Sequence, residues 1–219
     1  VKFPTLMHLM SMGYKYVSLS GLQTKHISTP LTNFDPQTNI LTDYFKESYN
    51  RLNHTTKPDD ADIILHKIQK SLNNDDLGRQ FYNEILLNTG EKIIDLSSAT
   101  NFYKNNTFQV ATEMTCGKKD SDNFRPDITI FVNGIPLAFI EVKKENNNKG
   151  IQSETERMKT RFTTPAFRRF LNLTQIMVFS NDMEYDNNEV TPTQGAFYAT
   201  IGKKTTKYNC FREEGQDSF

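Results

Sequence analysis

The 219-residue sequence has no net charge, two cysteines and no long apolar run, and each shortage narrows what the chain can be. Lys plus Arg number 26 and Asp plus Glu number 26, so no whole-chain field draws the protein to nucleic acid or to a membrane. Any basic surface has to be local. No apolar stretch approaches the ~20 residues that cross a bilayer, and the mean hydropathy is −0.62. A soluble, cytoplasmic protein without a membrane partner is expected. The opening VKFPTLMHLMSMGYKY lacks the apolar segment of a secretory signal. Cys116 and Cys210 lie far apart; one disulfide is compatible with them, but reduced thiols are the expectation. His8, His26, His54 and His66 share no CxxC or HExxH spacing, so no zinc centre is expected. Internal repeats and long low-complexity tracts are absent too.

What is present changes character halfway along. The first half reads as helical. Leu6, Leu9 and Met10 recur at helical spacing up to Gly13. Further apolar-periodic segments cover 40–52, then ADIILHKIQKSL with Asp59 or Asp60 as its cap, then 77–88 closed by Gly90. Residues 14–38, rich in Ser, Thr and Asn with Pro30 and Pro36, read as an irregular connection. The second half turns to strand periods at 107–115, DITIFVN, PLAFIEVK, 175–181 and 195–202, with a polar loop at 117–124. A helix beginning IQSETERMKTRF follows the polar break ENNNKG. DITIFVN and PLAFIEVK are apolar on both faces, as central strands covered by helices are. The predicted architecture is α/β, a mixed central sheet flanked by helices. A helical N-terminal region (1–95) packs on a core (96–219), in one compact domain overall.

Chemistry concentrates in one hairpin, RPDITIFVNGIPLAFIEVKK at 125–144. Asp127 opens the first strand; Glu141 and Lys143 close the second and share a face. A strict two-residue Asn133-Gly134 turn pairs 132 with 135 and places Asp127 opposite Ile140, on the wrong face. A three-residue loop, or an equivalent bulge, places it opposite Glu141. Pro136 cannot donate to the ladder and also favours irregularity, so the longer loop or its equivalent is expected. Two carboxylates so placed repel unless a cation lies between them, and hard oxygen ligands favour Mg²⁺ or Mn²⁺. Such an ion polarises a phosphodiester and acidifies a bound water, while Lys143 stabilises charge developing on phosphorus. The plainer alternatives are a strand-opening aspartate and a solvated Glu141–Lys143 ion pair at a strand end.

The pattern Pro126-Asp127 followed by Glu141-Val142-Lys143 resembles the PD-(D/E)xK nuclease superfamily. The longer string looks like the nuclease segment of the restriction (R) subunit of type I restriction-modification enzymes. Gly13-Tyr14, YNRLNH at 49–54, NTFQVATEMT before the motif and QIMVFSND after it extend the resemblance over most of the chain. The resemblance implies Asp127 and Glu141 as metal ligands, the Val142 carbonyl as a further ligand, and Lys143 as the catalytic lysine. It also implies a Gln-xxx-Tyr motif on the next helix. Gln152 is the candidate glutamine, although Glu156 stands where the tyrosine belongs. For the full enzyme it implies ATP, S-adenosylmethionine, double-stranded DNA, and modification and specificity subunits as partners. An ATP-driven motor would follow in a longer chain.

Between 141 and 169 eight cations face four acids, a local net charge of +4 suited to phosphate contacts without sequence readout. Arg125, Lys144, Lys149 and Arg157 are the DNA-binding candidates. Phe162, Phe167 and Phe170 read as core. Glu113 and Glu84 are possible further acids, each more easily read as surface residues. IGKKTTK at 201–207 is not a phosphate loop, since Lys204 stands where Ser or Thr is required and no glycine precedes Gly202 by five. Two rival functions remain open at this point. One is a stand-alone nuclease of the same superfamily. The other is a non-catalytic module that docks DNA or partner subunits.

Overall fold

Among the described residues, seven strands hydrogen-bond in chain order, β1 to β7, into one mixed sheet. The computed structural model describes residues 2–18, 33–88, 90–116, 124–144, 150–181, 183, 195–200 and 209–210. The strands are β1 (Lys15–Tyr16), β2 (Phe108–Thr112), β3 (Ile128–Val132), β4 (Ile135–Val142), β5 (Ile176–Ser180), β6 (Ala196–Thr200) and β7 (Asn209–Cys210). Pairs β1–β2 and β4–β5 are parallel; the others are antiparallel. A parallel neighbour needs a crossover, and between β4 and β5 that is α5 (Gly150–Thr163), a 3₁₀ turn and α6 (Arg168–Leu173).

The apolar character of β3 and β4 follows from their place in the middle, with helices over both faces. On one face Phe139 and Met177 pack with Met158 of α5 and Phe170 and Leu171 of α6. On the other, Ile128 and Ile140 meet Leu9 of α1 (Lys2–Ser11). At the turn end, Val132 and Ile135 join Phe45 and Tyr49 of α2 (Thr42–Asn53) and Ile64 and Ile68 of α3 (Pro58–Ser71). The helical N-terminal residues therefore share a core with the sheet. Phe167 and Phe170 are buried and Phe162 packs against them, as expected of core residues.

Several local expectations shift. Residues 15–16 form an edge strand inside the segment read as irregular, paired with Gln109 and Val110. Asp59 and Asp60 do not cap α3; Pro58 takes the first helical position, where its missing N–H costs nothing, and the acids favour the first-turn dipole. The helix read at 77–88 is π-helical over Phe81–Leu86, with Leu87 N–H donating to the Tyr82 carbonyl five residues back, and it ends before Gly90. The wider turn lets Phe81 and Leu86 both be buried, which an α-helical period would not. Helix α4 (Ala99–Asn105), capped by Ser98, and helix α6 are additional. Most of the 117–124 loop and the whole 201–207 segment lie outside the described residues.

The hairpin resolves its register in an unexpected place. Asn133 and Gly134 both have positive φ, 52° and 76°, and form the tight two-residue turn, so Val132 pairs with Ile135. The expected longer loop is not used. Instead the register shifts between Ile130 and Phe131, where β4 accommodates one extra residue, Leu137. Beyond it Ile128 pairs with Ile140, and one step further sets Asp127 opposite Glu141. The equivalent bulge does what the loop was expected to do.

Candidate active site

The open end of the β3–β4 hairpin gathers charge from four elements. Glu141 is buried near the end of β4, and alternation along the strand aims it at α5, as it does Phe139. The stripe of α5 that meets the sheet consists of Ile151, Glu154, Met158 and Arg161, at the spacing of one helix face. Two members of that buried stripe are charged. Arg161 Nη1 donates to Glu141 Oε1 at 3.2 Å and to Glu154 Oε1 at 2.7 Å. Lys143 Nζ lies 3.8 Å from Glu141 Oε2 and 3.5 Å from Glu154 Oε2. Glu141, Arg161, Glu154 and Lys143 thus close a ring of alternating charge, with Arg157 reaching Glu154 from the surface at 3.1 Å.

Asp127 stands across the strand pair. Its Oδ2 accepts the Val142 N–H at 2.8 Å, and its Oδ1 pairs with Lys2 of α1 at 2.9 Å. Lys2 also donates to Glu113 at 2.6 Å. Glu113 follows β2 with φ of 53°, half exposed at the rim.

The two acids are pushed in opposite directions. Burial, then the neighbouring Glu154 carboxylate, raises Glu141 to about 7, against the pull of Arg161 and Lys143; Asp127 adds to the rise. For Asp127, burial also acts upward, but the Lys2 ammonium and the Val142 N–H outweigh it and hold the carboxyl below its ordinary value. Replacing Lys2 by methionine is expected to raise the Asp127 pKa. A depressed carboxyl stabilises the fold above its unfolded pKa, and that contribution is lost as pH falls through the folded value. The Lys2→Met variant should therefore begin acid unfolding at higher pH. Carboxylate NMR titration reads both effects, and an unmoved Asp127 would exclude the Lys2 contact in solution.

The other expected residues are placed as follows. Lys143 lies at the site. Gln152 does not: it is exposed on α5, two residues and so about 200° around the helix from Glu154. The helix instead brings Glu154 and Arg161 to Glu141 and Lys143. Arg125, Lys144 and Arg157 are exposed, and Lys149 lies outside the described residues. Glu84 bonds to Gln80 near the π-helical turn, in another part of the fold. Cys116 is a free, buried thiol whose pKa burial pushes up. Glu154, Arg161 and Lys2 were missed in the sequence. A signal for the first two was present, since Glu154 and Arg161 fall at the helical spacing of Ile151 and Met158 and so share their stripe. Lys2 carried no such signal.

Fold and site together define a mixed α/β domain with a carboxylate–lysine cluster at the mouth of its central hairpin. The family described as the type I restriction enzyme R protein N terminus matches residues 1–193. The chain belongs to that family. It is also 30% identical over 149 residues to a putative type I restriction enzyme MjaVIIIP endonuclease subunit of Methanocaldococcus jannaschii. That match covers 65% of this chain and 13% of the relative's length. Among the described residues, no helix is long and apolar enough to cross a membrane.

Proposed function

We propose that this chain is the metal-dependent endonuclease domain of a type I restriction R subunit, cutting double-stranded DNA at the Asp127–Glu141–Lys143 site. The observation that carries this reading is the juxtaposition itself. A one-residue bulge in β4 sets two acids opposite each other, with a lysine on the same face as the second.

The donor set suits Mg²⁺ or Mn²⁺. Among the described residues no three His, Cys, Asp or Glu side chains form a metal-holding group, so two carboxylates need a further donor. The Val142 carbonyl, between Glu141 and Lys143 in the chain, is that candidate. Both side-chain donors are hard oxygens. The surroundings of Glu141 disfavour its anion on balance, and an added cation reverses that preference. A divalent ion held by Asp127, Glu141 and the Val142 carbonyl would supply Lewis acidity toward the phosphodiester and acidify water.

The chain's own groups do the rest. Asp127, held anionic by Lys2 and the Val142 N–H, would be a ligand charged in advance. Glu141, whose pKa is raised to about 7, would take its full charge only beside a cation. Lys143 presents an ammonium to the developing phosphorane charge. Arg125, Lys144 and Arg157 neutralise backbone phosphates on the approach, without reading bases. In the complete enzyme, acting in the cytoplasm, a separate motor uses ATP, and the modification and specificity subunits, with S-adenosylmethionine, choose the site.

The test is made in the assembled enzyme. Asp127→Asn and Lys143→Ala should each lower plasmid cleavage more than about a hundredfold, since even outer partners of metal ligands cost about 10–100-fold. ATP hydrolysis should persist. Cleavage at the normal rate by Asp127→Asn would refute the assignment.

A further inference from the structure

We propose that Glu154 and Arg161 are positioning residues of this site, which commit one oxygen of Glu141 and hold the Lys143 ammonium so that the other oxygen is left for the metal. The inference rests on the metal-site reading above and extends it to two residues that no motif carried.

Arg161 is clamped on three sides. Its guanidinium stacks on the Phe124 ring, 3.9 Å from the centroid. Phe124 is itself wedged between Phe139, Phe167 and Phe170. Nη1 donates to Glu154 at 2.7 Å and touches Met158 Sδ at 3.4 Å. So fixed, the arginine reaches Glu141 through Nη1 alone and takes Oε1. Among the described residues, Oε2 keeps only the longer approach of Lys143. An arginine free to move would instead meet a carboxylate with two parallel N–H bonds and occupy both oxygens. Glu154 opposes that by taking the shorter bond from the same Nη1, which keeps the guanidinium from turning its second nitrogen to Glu141.

Glu154 performs a second task. Lysine is a flexible four-carbon stem carrying a point charge. With Glu141 on one side and Glu154 on the other, the ammonium is confined between two carboxylates, at 3.8 and 3.5 Å. Once Glu141 turns its free oxygen to a metal ion, Glu154 remains as the partner that keeps Lys143 beside it. Glu154 also contributes a buried negative charge that offsets Arg161, so that the region does not repel a dication.

The test uses Glu154→Gln in the full-length R subunit, which keeps shape and removes charge. Calorimetric titration with Mn²⁺ should show affinity about 10–100-fold weaker than wild type, the range found for outer partners of metal ligands. In the assembled enzyme, the loss of cleavage should appear in the metal concentration needed. Saturating Mn²⁺ should restore part of the rate to Glu154→Gln, the remainder being lost with the anchor of Lys143, and none to Lys143→Ala. Wild-type affinity in Glu154→Gln would overturn the proposal. So would a rate defect that saturating metal leaves untouched. If thermal melting shows that Glu154→Gln does not fold, Glu154→Asp replaces it; this keeps the charge and withdraws it from Arg161 and Lys143. It should weaken Mn²⁺ binding in the same direction, and wild-type binding would overturn the proposal. The underlying reading fails separately, if wild type and Asp127→Asn bind Mn²⁺ alike.

Discussion

Glu141→Gln is expected to abolish DNA cleavage while stabilising the metal-free domain above pH 7. The folded-state pKa of Glu141 is raised from 4.5 to about 7. Below the unfolded value both states hold the proton and the residue contributes no pH dependence. Between the two values the folded state keeps a proton that the unfolded state has lost, so stability falls as pH rises. Above about 7 the cost is complete, about 3 kcal/mol at 1.36 kcal/mol per pKa unit. Glutamine reproduces the neutral form and has no charge to desolvate. It also lacks the anionic oxygen that a metal ligand needs.

Urea unfolding at pH 5 and pH 8 measures the effect as a difference between the two proteins. Wild type should lose up to about 3 kcal/mol relative to the variant over that interval. Equal pH dependence in both would show that Glu141 is not strained in the fold. Added Mg²⁺ should stabilise wild type more at pH 8 than at pH 6, because binding displaces the proton, and should leave the variant unmoved. On this expectation the site is destabilising alone and is relieved by a bound cation.

Gly134→Ala should destabilise the domain by about 2–4 kcal/mol, combining a left-handed backbone penalty with overpacking. Gly134 has φ of +76°, and a Cβ there would lie 2.5 Å from the Leu41 carbonyl oxygen and 2.9 Å from Phe45 N. Both obstacles are backbone at the start of α2, and the Leu41 N–H donates to the Gly134 carbonyl at 2.9 Å. They cannot swing aside as a flexible side chain would. Gly13 is the control: φ is +98°, but nothing lies within 4 Å of an added Cβ. Gly13→Ala should cost only the backbone penalty, about 1–2 kcal/mol. Equal losses at the two positions, by urea midpoint, would show that the α2 contact does not matter.

Removing this turn also threatens the site, because the whole register of β3 and β4 is measured from it. Asn133 ties the same turn down. Its side chain accepts the Thr107 N–H in partly buried surroundings and donates to the Ile93 carbonyl and to Asn106 in buried ones. The hairpin is thereby anchored at its closed end, and its open end is left to carry charge.

The central hairpin could be read directly from the chain. DITIFVN and PLAFIEVK are apolar on both faces in their middles, Thr129 apart, which only strands covered on both faces tolerate, and Asn-Gly between them fits a turn needing positive φ twice. Asp127, Glu141 and Lys143 stood out because they were the charges bordering that apolar block. Period and turn chemistry are local properties, written in neighbouring residues.

Other features depended on contacts between distant segments. A bulge at Leu137 rather than a longer loop reflects how α2 seats against Gly134, some 90 residues later in the chain than the helix it meets. The π-helical turn at Phe81–Leu86 follows from two side chains seeking one core, not from helix propensity. Gln152 and Glu154 are two positions apart with similar local sequence, yet only the packing of α5 on the sheet turns Glu154 and Arg161 inward. Lys2 reaches Asp127 from 125 residues away, because α1 lies across the opposite face. Charges buried as partners are chosen by geometry, since their desolvation is tolerable only where the opposite charge already stands.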